Sequence, residues 1–384
     1  MLKQLPVQGF VFWPVGTGDS TTIAVDAQTV IQLDLHHLAG ADDDEDPHTP
    51  IVDRLVALLP KVNKKPYLAL FILTHPDKDH ILGFKDLLKR VHIGELWFSP
   101  RIFWEYKKDL CEDAVAFRNE ALRRVKKTIE NEGDVSSGDR VRIIGYGEIL
   151  EEEEYEGFPD DGLTIPGNAV SIIDGSDRGD VFSTFIHAPF KDDADGERNE
   201  TSIAMQVTLT NGTADGKVLL FGDLCYPILR KIFDRSKAAT VAWDMLLAPH
   251  HCSKSIMYWK GPEDKKEQLK QDILDDLEAA AGTIGYIIAS CDPIPASNKE
   301  GDNPPHAIAA ARYKEIAPSG FLCTQEHPNK EAPEPIVFVL GENGFEYEKP
   351  GASAKAAKKT LAEAVVAARG GVPPTQRVGF GQRS

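Results

Sequence analysis

The heptapeptide Thr74-His75-Pro76-Asp77-Lys78-Asp79-His80 places four potential metal ligands within six residues. It directly follows an apolar run, residues 67–73, that has the length and composition of a buried strand. Polar and charged groups at the end of such a strand need partners, because burying them unpaired is costly. A divalent cation suits this set, and imidazole together with carboxylate favours zinc, manganese or iron over calcium. The alternative is a polar loop that caps a helix, with Asp79 as the N-cap residue.

The composition limits the class of protein. The chain has 384 residues, enough for one large domain or two ordinary ones, and 42% of them are hydrophobic, which is sufficient for a sizeable core. The net charge of −17 argues against a protein that coats nucleic acid through a basic surface. It does not exclude a nuclease, because bound metal ions reverse the local charge at a site.

Cysteine usage and hydropathy indicate the compartment. The five cysteines are odd in number, are scattered and form no CxxC pair, which is typical of a reduced intracellular protein. The N-terminus lacks the apolar stretch of a signal peptide, and no apolar run has the length of about 18 residues that predicts a transmembrane helix. We therefore expect a cytoplasmic protein without a membrane partner.

Strand and helix patterns alternate along the chain, which is typical of an α/β fold. Residues 103–131 are charged and predict helix, residues 148–166 are acidic and predict a solvated loop, and residues 265–281 favour a helix. From Pro350 the composition changes to Ala, Lys and Gly. This basic tail is predicted to be an amphipathic helix or disordered, and to lie outside the core.

Two further apolar strands end in potential ligands. The first is followed by Gly222-Asp223, and the second by Pro249-His250-His251-Cys252-Ser253. Each signal alone is weak, and Asp223 by itself is more typical of a turn. Separate strands that deliver ligands to one edge of a sheet can build a di-metal site, and the combination with residues 75–80 predicts one.

The same clusters stand in a series of recognisable motifs that covers about residues 9–325. In chain order the motifs are Val15-Gly16-Thr17-Gly18-Asp19-Ser20, Ile31-Gln32-Leu33-Asp34, the stretch from His75 to Gly83, Asn199-Glu200-Thr201-Ser202, Leu220-Phe221-Gly222-Asp223, Pro249-His250-His251-Cys252-Ser253 and, loosely, Asn303-Pro304-Pro305-His306. In this series the chain resembles the metallo-β-lactamase superfamily and, within it, the hydrolase domain of the ComEC-like DNA-uptake proteins.

The resemblance implies a fold of the α/β class, a four-layer αββα sandwich. The hydrolase domain would span residues 1–348, with a helical and acidic insertion at 101–166, and the basic Ala/Gly/Pro-rich tail would span residues 349–384. A protein partner is expected to bind, if one exists, through residues 103–131 of the insertion or through the tail.

The resemblance further implies two divalent metal ions, Zn²⁺ or Mn²⁺, that lower the pKa of a bridging water. His75 and Asp77 would bind one ion, Asp79 and His80 the other, and Asp223 would be shared by both. Asp79 is therefore a candidate catalytic residue as well as a ligand. Asp77 stands where the superfamily's commoner H-x-H-x-D-H cluster has a second histidine, and this harder ligand makes manganese a competitor to zinc.

Other positions of the implied site are less determined. One of His250 and His251 would complete the second metal position, and the other would hydrogen-bond a substrate oxygen or the leaving group, so both are candidate metal ligands and catalytic residues. His306 is a candidate for holding a substrate phosphate or acting as a general acid, the alternative being a surface-loop histidine. His187 lies where the superfamily has a separate mid-chain metal ligand, although a lone strand-end histidine is more often structural. Cys252 replaces the family glycine.

We therefore expect a metal-dependent hydrolase that acts on a phosphodiester, in nucleic acid or in a small nucleotide. The phosphodiesterase or nuclease assignment rests on the resemblance to the ComEC-like branch and not on a nucleic-acid-binding motif. Two alternatives stay open, namely hydrolysis of a non-phosphate bond such as a lactone, thioester or β-lactam, and a non-catalytic module of the same fold. The intact ligand set argues against the non-catalytic module, because a decayed enzyme usually loses ligands.

Overall fold

The computed structural model describes residues 2–43, 45–105, 107–194 and 196–350. Its strands, in chain order, are β1 (Gly9–Phe12), β2 (Thr21–Ala24), β3 (Val30–Leu33), β4 (Lys61–Val62), β5 (Lys65–Leu73), β6 (His92–Phe98), β7 (Arg140–Ile144), β8 (Leu163–Thr164), β9 (Ala169–Val170), β10 (Ile172–Ile173), β11 (Ser176–Asp177), β12 (Phe182–Ala188), β13 (Ala204–Thr210), β14 (Asp215–Leu220), β15 (Trp243–Leu247), β16 (Tyr258–Trp259), β17 (Gln268–Leu269), β18 (Ala281–Ala289), β19 (Gly320–Cys323), β20 (Ile336–Gly341) and β21 (Gly344–Tyr347). Its helices and single helical turns, in chain order, are α1 (Ile51–Leu58), α2 (Lys78–Ile81), α3 (Phe84–Arg90), α4 (Arg101–Trp104), α5 (Glu112–Glu130), α6 (Tyr226–Arg235), α7 (Ala238–Val241), α8 (Pro249–Cys252), α9 (Gln271–Ala279) and α10 (Ala307–Ile316).

Two mixed sheets organise the described residues. The first has the strand order β21-β20-β1-β2-β3-β5-β6-β7-β8, with β4 paired to β5, and the second has the order β19-β18-β15-β14-β13-β12-β9. β5 lies between β3 and β6, which both run parallel to it. Its residues 68–73 are all buried, as expected for a central parallel strand with a continuous apolar run.

Three apolar cores lie between successive layers. The middle core joins the facing sides of the two sheets, with Phe12 and Leu70 from the first and Val207 and Leu220 from the second. A second core fills the space between the first sheet and helices α1, α3 and α5. A third lies between the second sheet and helices α6, α9 and α10. The layer order is therefore helix, sheet, sheet, helix, which confirms the predicted four-layer αββα sandwich.

Residues 101–166, predicted as an insertion, contribute to these layers. α5 buries apolar side chains spaced three or four residues apart, and Phe117 among them packs against Phe71 of β5 at a ring-centroid distance of 6.0 Å. β7 continues the first sheet parallel to β6, and β8 follows as its last strand. The segment therefore supplies one helix of the outer layer and one edge of the first sheet.

The solvated loop predicted for residues 148–166 is wrong in part. The segment contains short 3-10 turns and β8, and its Ile149, Tyr155 and Phe158 side chains are buried in the core beneath α5. The apolar residues interspersed among the glutamates supply this burial, while most of the glutamate side chains are exposed. The helix predicted for residues 265–281 is shorter than expected, because α9 begins at Gln271 after the short strand β17.

The C-terminal part of the chain is described only to Pro350. The preceding residues form one compact unit that extends to Tyr347. The predicted tail, from residue 351 onward, lies outside the described residues, and the domain boundary at residue 348 stays a prediction. Among the helices that the structure describes, none is long and apolar enough to cross a bilayer.

Candidate metal centre

The predicted ligands come from both sheets and meet at one end of the sandwich. β5 of the first sheet leads into residues 74–80, and the parallel neighbours β14 and β15 of the second sheet lead into residues 222–223 and 249–252. Backbone hydrogen bonds join these loops: Ile203 N donates to the carbonyl oxygen of Thr74 at 3.0 Å, and His250 N donates to that of Gly222 at 3.0 Å. The backbone thus brings together side chains that are far apart in the chain.

The Asp223 carboxylate lies at the centre of the cluster. Its Oδ1 is 3.2 Å from Nε2 of His80, and its Oδ2 is 3.5 Å from Nε2 of His251, 3.7 Å from Nε2 of His250 and 3.8 Å from Nε2 of His75. A carboxylate has two oxygens with separate lone pairs, so it can serve two ions at once. The position of Asp223 among four imidazoles is that expected of a shared ligand.

The other predicted ligands fall into two groups. Asp79 Oδ2 is 3.3 Å from Nε2 of His251, and the Nε2 atoms of His251 and His80 are 3.1 Å apart, so these three side chains form one group. Asp77 Oδ2 is 3.6 Å from Nε2 of His75, and this pair forms the other. The capping-loop alternative does not describe these contacts: Asp79 lies within α2, and Asp77, at the N-cap position, makes no side-chain capping hydrogen bond.

Carboxylates behind two of the histidines hold their rings in the orientation that a metal requires. Nδ1 of His80 is 2.8 Å from Oδ2 of Asp34, which also accepts a hydrogen bond from the hydroxyl of Thr74 at 2.6 Å. Nδ1 of His251 is 3.5 Å from Oδ1 of Asp19. The Asp34 carboxylate accepts from Nδ1 of His80, whereas Oδ1 of Asp19 and Nδ1 of His251 face each other without a hydrogen bond. In both rings Nε2 is turned toward Asp223. Such carboxylate–histidine pairs are characteristic of histidines that bind metal through the other nitrogen.

Electrostatics at the site favour a cation. Burial works against charge here, yet the carboxylates of Asp223 and Asp34 raise the pKa of His80 well above its usual value, and those of Asp223 and Asp19 do the same for His251. In return, and again against burial, His251 and His80 hold the pKa of Asp223 well below its usual range. The carboxylates therefore attract positive charge strongly, and a metal ion competes with protons for the same nitrogens.

Unsatisfied buried atoms point the same way. Among the described residues, Nε2 of His75 and Oδ1 of Asp223 are buried and make no hydrogen bond. Burial lowers the pKa of His75 to about 4, so its ring is neutral at pH 7 and has the lone pair that a metal ligand needs. The donor set of imidazoles and carboxylates suits Zn²⁺ or Mn²⁺. The residues present therefore fit a divalent metal centre.

An unusual left-handed turn presents the histidine pair. His250, His251 and Cys252 in α8 have φ angles of 49°, 52° and 66°. Three successive residues other than glycine in this region are rare and strained, and such strain concentrates at functional sites. Gly222 in the neighbouring loop also has a positive φ of 53°, and a Cβ there would lie 2.9 Å from that of Ser202. The turn and the glycine together bring the two loops close to Asp223.

His187 and His306 are placed differently from the other predicted residues. Both ring nitrogens of His187 are engaged, Nε2 with the carbonyl oxygen of Thr240 at 2.8 Å and Nδ1 with the hydroxyl of Ser236 at 3.1 Å. In His306, Nδ1 accepts from the backbone N–H of Lys254 at 3.2 Å, and Nε2 donates to a backbone carbonyl at 3.1 Å. In these conformations both nitrogens of each ring are hydrogen-bonded, and metal binding by His187 and the phosphate-holding or general-acid role of His306 stay predictions. The backbone N–H of His306 also donates to the Cys252 carbonyl oxygen and supports the left-handed turn.

Sequence reasoning did not assign three residues that the structure places at the site. Asp19 and Asp34 were noticed only as motif residues, and Arg198, which donates to Oδ1 of Asp77 at 2.9 Å, was not noticed at all. Their positions inside the family-like motifs, Asp19 after a glycine turn and Asp34 at a strand end, were the only available signal. Arg198 directly precedes another such motif, at residues 199–202.

Comparisons with known proteins give a loose likeness in fold. No protein-family model matches the chain, and no curated protein matches it significantly. Similar solved structures include MEM-A1, a subclass B3 metallo-β-lactamase isolated from a soil metagenome library (14% identity, 64% of this chain and 78% of that one, TM-score 0.32), and BJP-1, a subclass B3 metallo-β-lactamase of Bradyrhizobium japonicum (16% identity, 71% and 89%, TM-score 0.31). The Rm3 metallo-β-lactamase matches over 95% of this chain and 94% of its own, with 10% identity and a TM-score of 0.34. Likeness at this level carries no argument about the site, whose interpretation rests on the residues described above.

Proposed function

We propose that this chain is a metal-dependent hydrolase of the metallo-β-lactamase superfamily, from its ComEC-like branch, and that it hydrolyses phosphodiester bonds in nucleic acid or a small nucleotide. The observation that carries the proposal is the buried Asp223 carboxylate with Nε2 of four imidazoles within 3.8 Å. The carboxylates behind His80 and His251 support it further, because a purely structural histidine cluster has no need of both.

We assign the ligands of two ions, Zn²⁺ or Mn²⁺, from the contacts. His75 and Asp77, whose Nε2 and Oδ2 atoms lie 3.6 Å apart, are assigned to the first metal position. Asp79, His80 and His251, in which Nε2 of His251 lies 3.3 Å from Oδ2 of Asp79 and 3.1 Å from Nε2 of His80, are assigned to the second, and Asp223 is assigned to both. When bound, the ions lower the pKa of a water so that it attacks at neutral pH, and they polarise the substrate oxygen. The carboxylate of Asp77 in place of an imidazole makes the first position harder and favours Mn²⁺ there relative to an all-histidine set.

The two adjacent histidines take different roles in this proposal. The side chain of His251 is 1% exposed and its Nδ1 lies 3.5 Å from Oδ1 of Asp19, so we assign it as the ligand. The side chain of His250 is 26% exposed, and its Nε2 is 3.7 Å from Asp223, so it faces both the site and solvent. Burial lowers the pKa of His250, and the neutral ring can donate a hydrogen bond to a substrate oxygen. His250 is therefore the substrate-facing residue, and His306 supports it only through the turn.

Metal analysis of the purified protein, followed by hydrolysis assays on a phosphodiester and on substrates without phosphate, tests the proposal. The purified protein should bind two divalent ions, and the Mn²⁺ or Zn²⁺ form should hydrolyse bis-p-nitrophenyl phosphate. Asp79→Ala should abolish the activity and leave the far-UV circular dichroism unchanged, whereas Asp86→Ala, an exposed aspartate on α3, should behave like the wild type. Absence of bound or activating metal would refute the hydrolase. Hydrolysis of a chromogenic lactone, thioester or β-lactam without cleavage of the phosphodiester would retain the hydrolase and refute the phosphodiesterase.

A further inference from the structure

Arg198 is a cation at the edge of the metal centre that the proposed chemistry does not use. It begins a 3-10 turn, Arg198–Thr201, and its side chain is 25% exposed. Nη1 donates to Oδ1 of Asp77 at 2.9 Å. Nη2 is 2.9 Å from Oε2 of Glu105 and donates to the carbonyl oxygen of Asp109 at 3.1 Å. Three acceptors from two other segments therefore fix the plane of the guanidinium.

The two oxygens of Asp77 face different groups because of this contact. Oδ1 accepts from Arg198, while Oδ2 lies 3.6 Å from Nε2 of His75. The Asp77 side chain makes no capping hydrogen bond to α2, so the helix does not hold it. The guanidinium therefore sets the rotation of the carboxylate, and Oδ2 is the oxygen that remains for an ion.

A second arginine anchors Arg198 to the segment around α4. Oε1 of Glu105 accepts from Nε of Arg101 at 2.6 Å, and Nη1 of Arg101 donates to the carbonyl oxygens of Ala194 at 3.1 Å and Gly196 at 2.8 Å. Against the effect of burial, hydrogen bonds from Arg198 and Arg101 lower the pKa of Glu105, which stays ionised. A network of this kind holds its members more rigidly than a single exposed pair, whose two side chains lose entropy for little gain.

We infer that Arg198 is a positioning residue for the metal position formed by His75 and Asp77, and that Glu105 holds it in place. The inference rests on the proposed function, since it requires an ion at that position. The guanidinium of Arg198 occupies Oδ1 of Asp77 and leaves Oδ2 for the metal. Without the hydrogen bond from the guanidinium, the Asp77 side chain is free to rotate, and its loss of conformational entropy on binding an ion weakens that binding. Among the described residues, no hydrogen bond or ion pair joins Asp79, His80 or His251 to Arg198 or Glu105, so the metal position that they form should be unaffected.

Metal titration of three variants tests the inference. Metal-free protein is titrated with Mn²⁺ in competition with a chelating dye, and the wild type should bind two ions. In Arg198→Met one ion should bind about ten- to a hundredfold more weakly, as is typical when an outer partner of a ligand is lost, and the other within about twofold of wild type. Glu105→Gln should weaken the same ion by a smaller factor. Arg118→Met is the control, because Arg118 lies on α5 and donates to the Phe103 carbonyl oxygen, and no ion pair joins it to a predicted ligand.

The double variant and the substrate kinetics separate the outcomes. In an Asp77→Ala background, Arg198→Met should change metal affinity by less than about twofold, since the side chain that Arg198 positions is gone. If Arg198→Met does not fold, Arg198→Lys keeps the charge without the fork and should lose affinity for the same ion. Wild-type affinity for both ions in the variants would overturn the inference and leave the proposed function standing. A higher KM for bis-p-nitrophenyl phosphate with both ions bound normally would make Arg198 a substrate contact and also overturn it. Failure of the wild type to bind any ion would overturn both proposals.

Discussion

The substitution Asp34→Asn tests the role of the carboxylate that accepts a hydrogen bond from His80, because it removes the charge and keeps the shape of the side chain. Asp34 accepts three hydrogen bonds, from the backbone N–H of Thr74 at 2.8 Å, from the hydroxyl of Thr74 at 2.6 Å and from Nδ1 of His80 at 2.8 Å. Its φ of 51° lies in the left-handed region, which asparagine tolerates as well as aspartate. The substitution should therefore leave the backbone in place and change only what the side chain can accept.

The expected magnitude follows from the hydrogen-bond donors around Asp34. The asparagine oxygen can still accept from the backbone N–H of Thr74, so its amide NH₂ must face the Thr74 hydroxyl and Nδ1 of His80. The Thr74 hydroxyl can rotate and accept a hydrogen bond from this NH₂ group. Nδ1 of His80 can accept one only in the tautomer that carries the proton on Nε2, the nitrogen that faces the metal position. Losing a hydrogen bond to a charged acceptor costs about 1.5–3 kcal/mol. This corresponds to a fall in metal affinity of about ten- to a hundredfold, the usual range for an outer-sphere partner of a ligating histidine.

Competition titration with a chelating dye, on metal-free protein at pH 7, measures this change directly. One of the two ions should bind more weakly and the other normally, and circular dichroism should show an unchanged fold. Asp26→Asn is the matched control, because Asp26 accepts backbone hydrogen bonds from Gln28 and Thr29 in a turn and pairs with Arg178, away from the predicted ligands. Wild-type affinity of Asp34→Asn for both ions would show that Nε2 of His80 does not bind metal and would refute the ligand assignment.

Three further predictions concern buried charge and backbone strain. Burial lowers the pKa of His187 from 6.5 to about 4, so the unfolded chain takes up a proton first as the pH falls, and stability is lost between pH 6.5 and 4. At pH 5 the loss from this residue is about 2 kcal/mol relative to pH 7, and His187→Gln should remove that part of the pH dependence in urea unfolding. Gly222→Ala, with φ at 53° and Ser202 in the way, should lower the free energy of unfolding by about 1–2 kcal/mol, whereas Gly147→Ala, with open space around it, should lower it by less than about 0.5 kcal/mol. Cys252→Gly should unfold at a higher urea concentration than Cys252→Ala, because the φ of 66° at this position suits glycine. Alanine is usually the more stable of the two, and a higher urea midpoint for Cys252→Ala would refute the strain at this turn.

The elements that were predictable have local signals. The strand at residues 67–73 is a continuous apolar run, and its polar continuation at residues 74–80 contains predicted ligands that are neighbours in the sequence. The pair His250-His251 is also local. The difference in exposure between the two side chains, 26% for His250 and 1% for His251, has no local signal in the sequence. It arises from the left-handed turn and from the packing of His251 beside Asp19, more than two hundred residues away in the chain. The sequence therefore predicts that one histidine binds metal, and only the fold separates the two.

The contacts that sequence reasoning missed join distant segments. Asp34 and His80 are 46 residues apart, and Asp77 and Arg198 are 121 residues apart. No periodicity connects such positions, since the first pair forms only when β3 and β5 pair within the first sheet, and the second only when the two sheets pack together. The surroundings of His187 are equally distant in the chain, because the carbonyl oxygen of Thr240, 53 residues later, accepts its Nε2 hydrogen bond.

The charges of the site give a reason for two ions and for the coexistence of Asp77 with Arg198. Five carboxylates surround the imidazoles, those of Asp19, Asp34, Asp77, Asp79 and Asp223. In their ionised form, the guanidinium of Arg198 balances one and two divalent ions balance the other four. A single divalent ion would leave two negative charges to be balanced by protons on His80 and His251, and a protonated imidazole cannot bind metal. A histidine at position 77 would remove one negative charge and leave Arg198 without its partner at the site. The aspartate and the arginine therefore form one unit, and the charge of the proposed pair of ions matches the number of carboxylates that Arg198 leaves unpaired at the site.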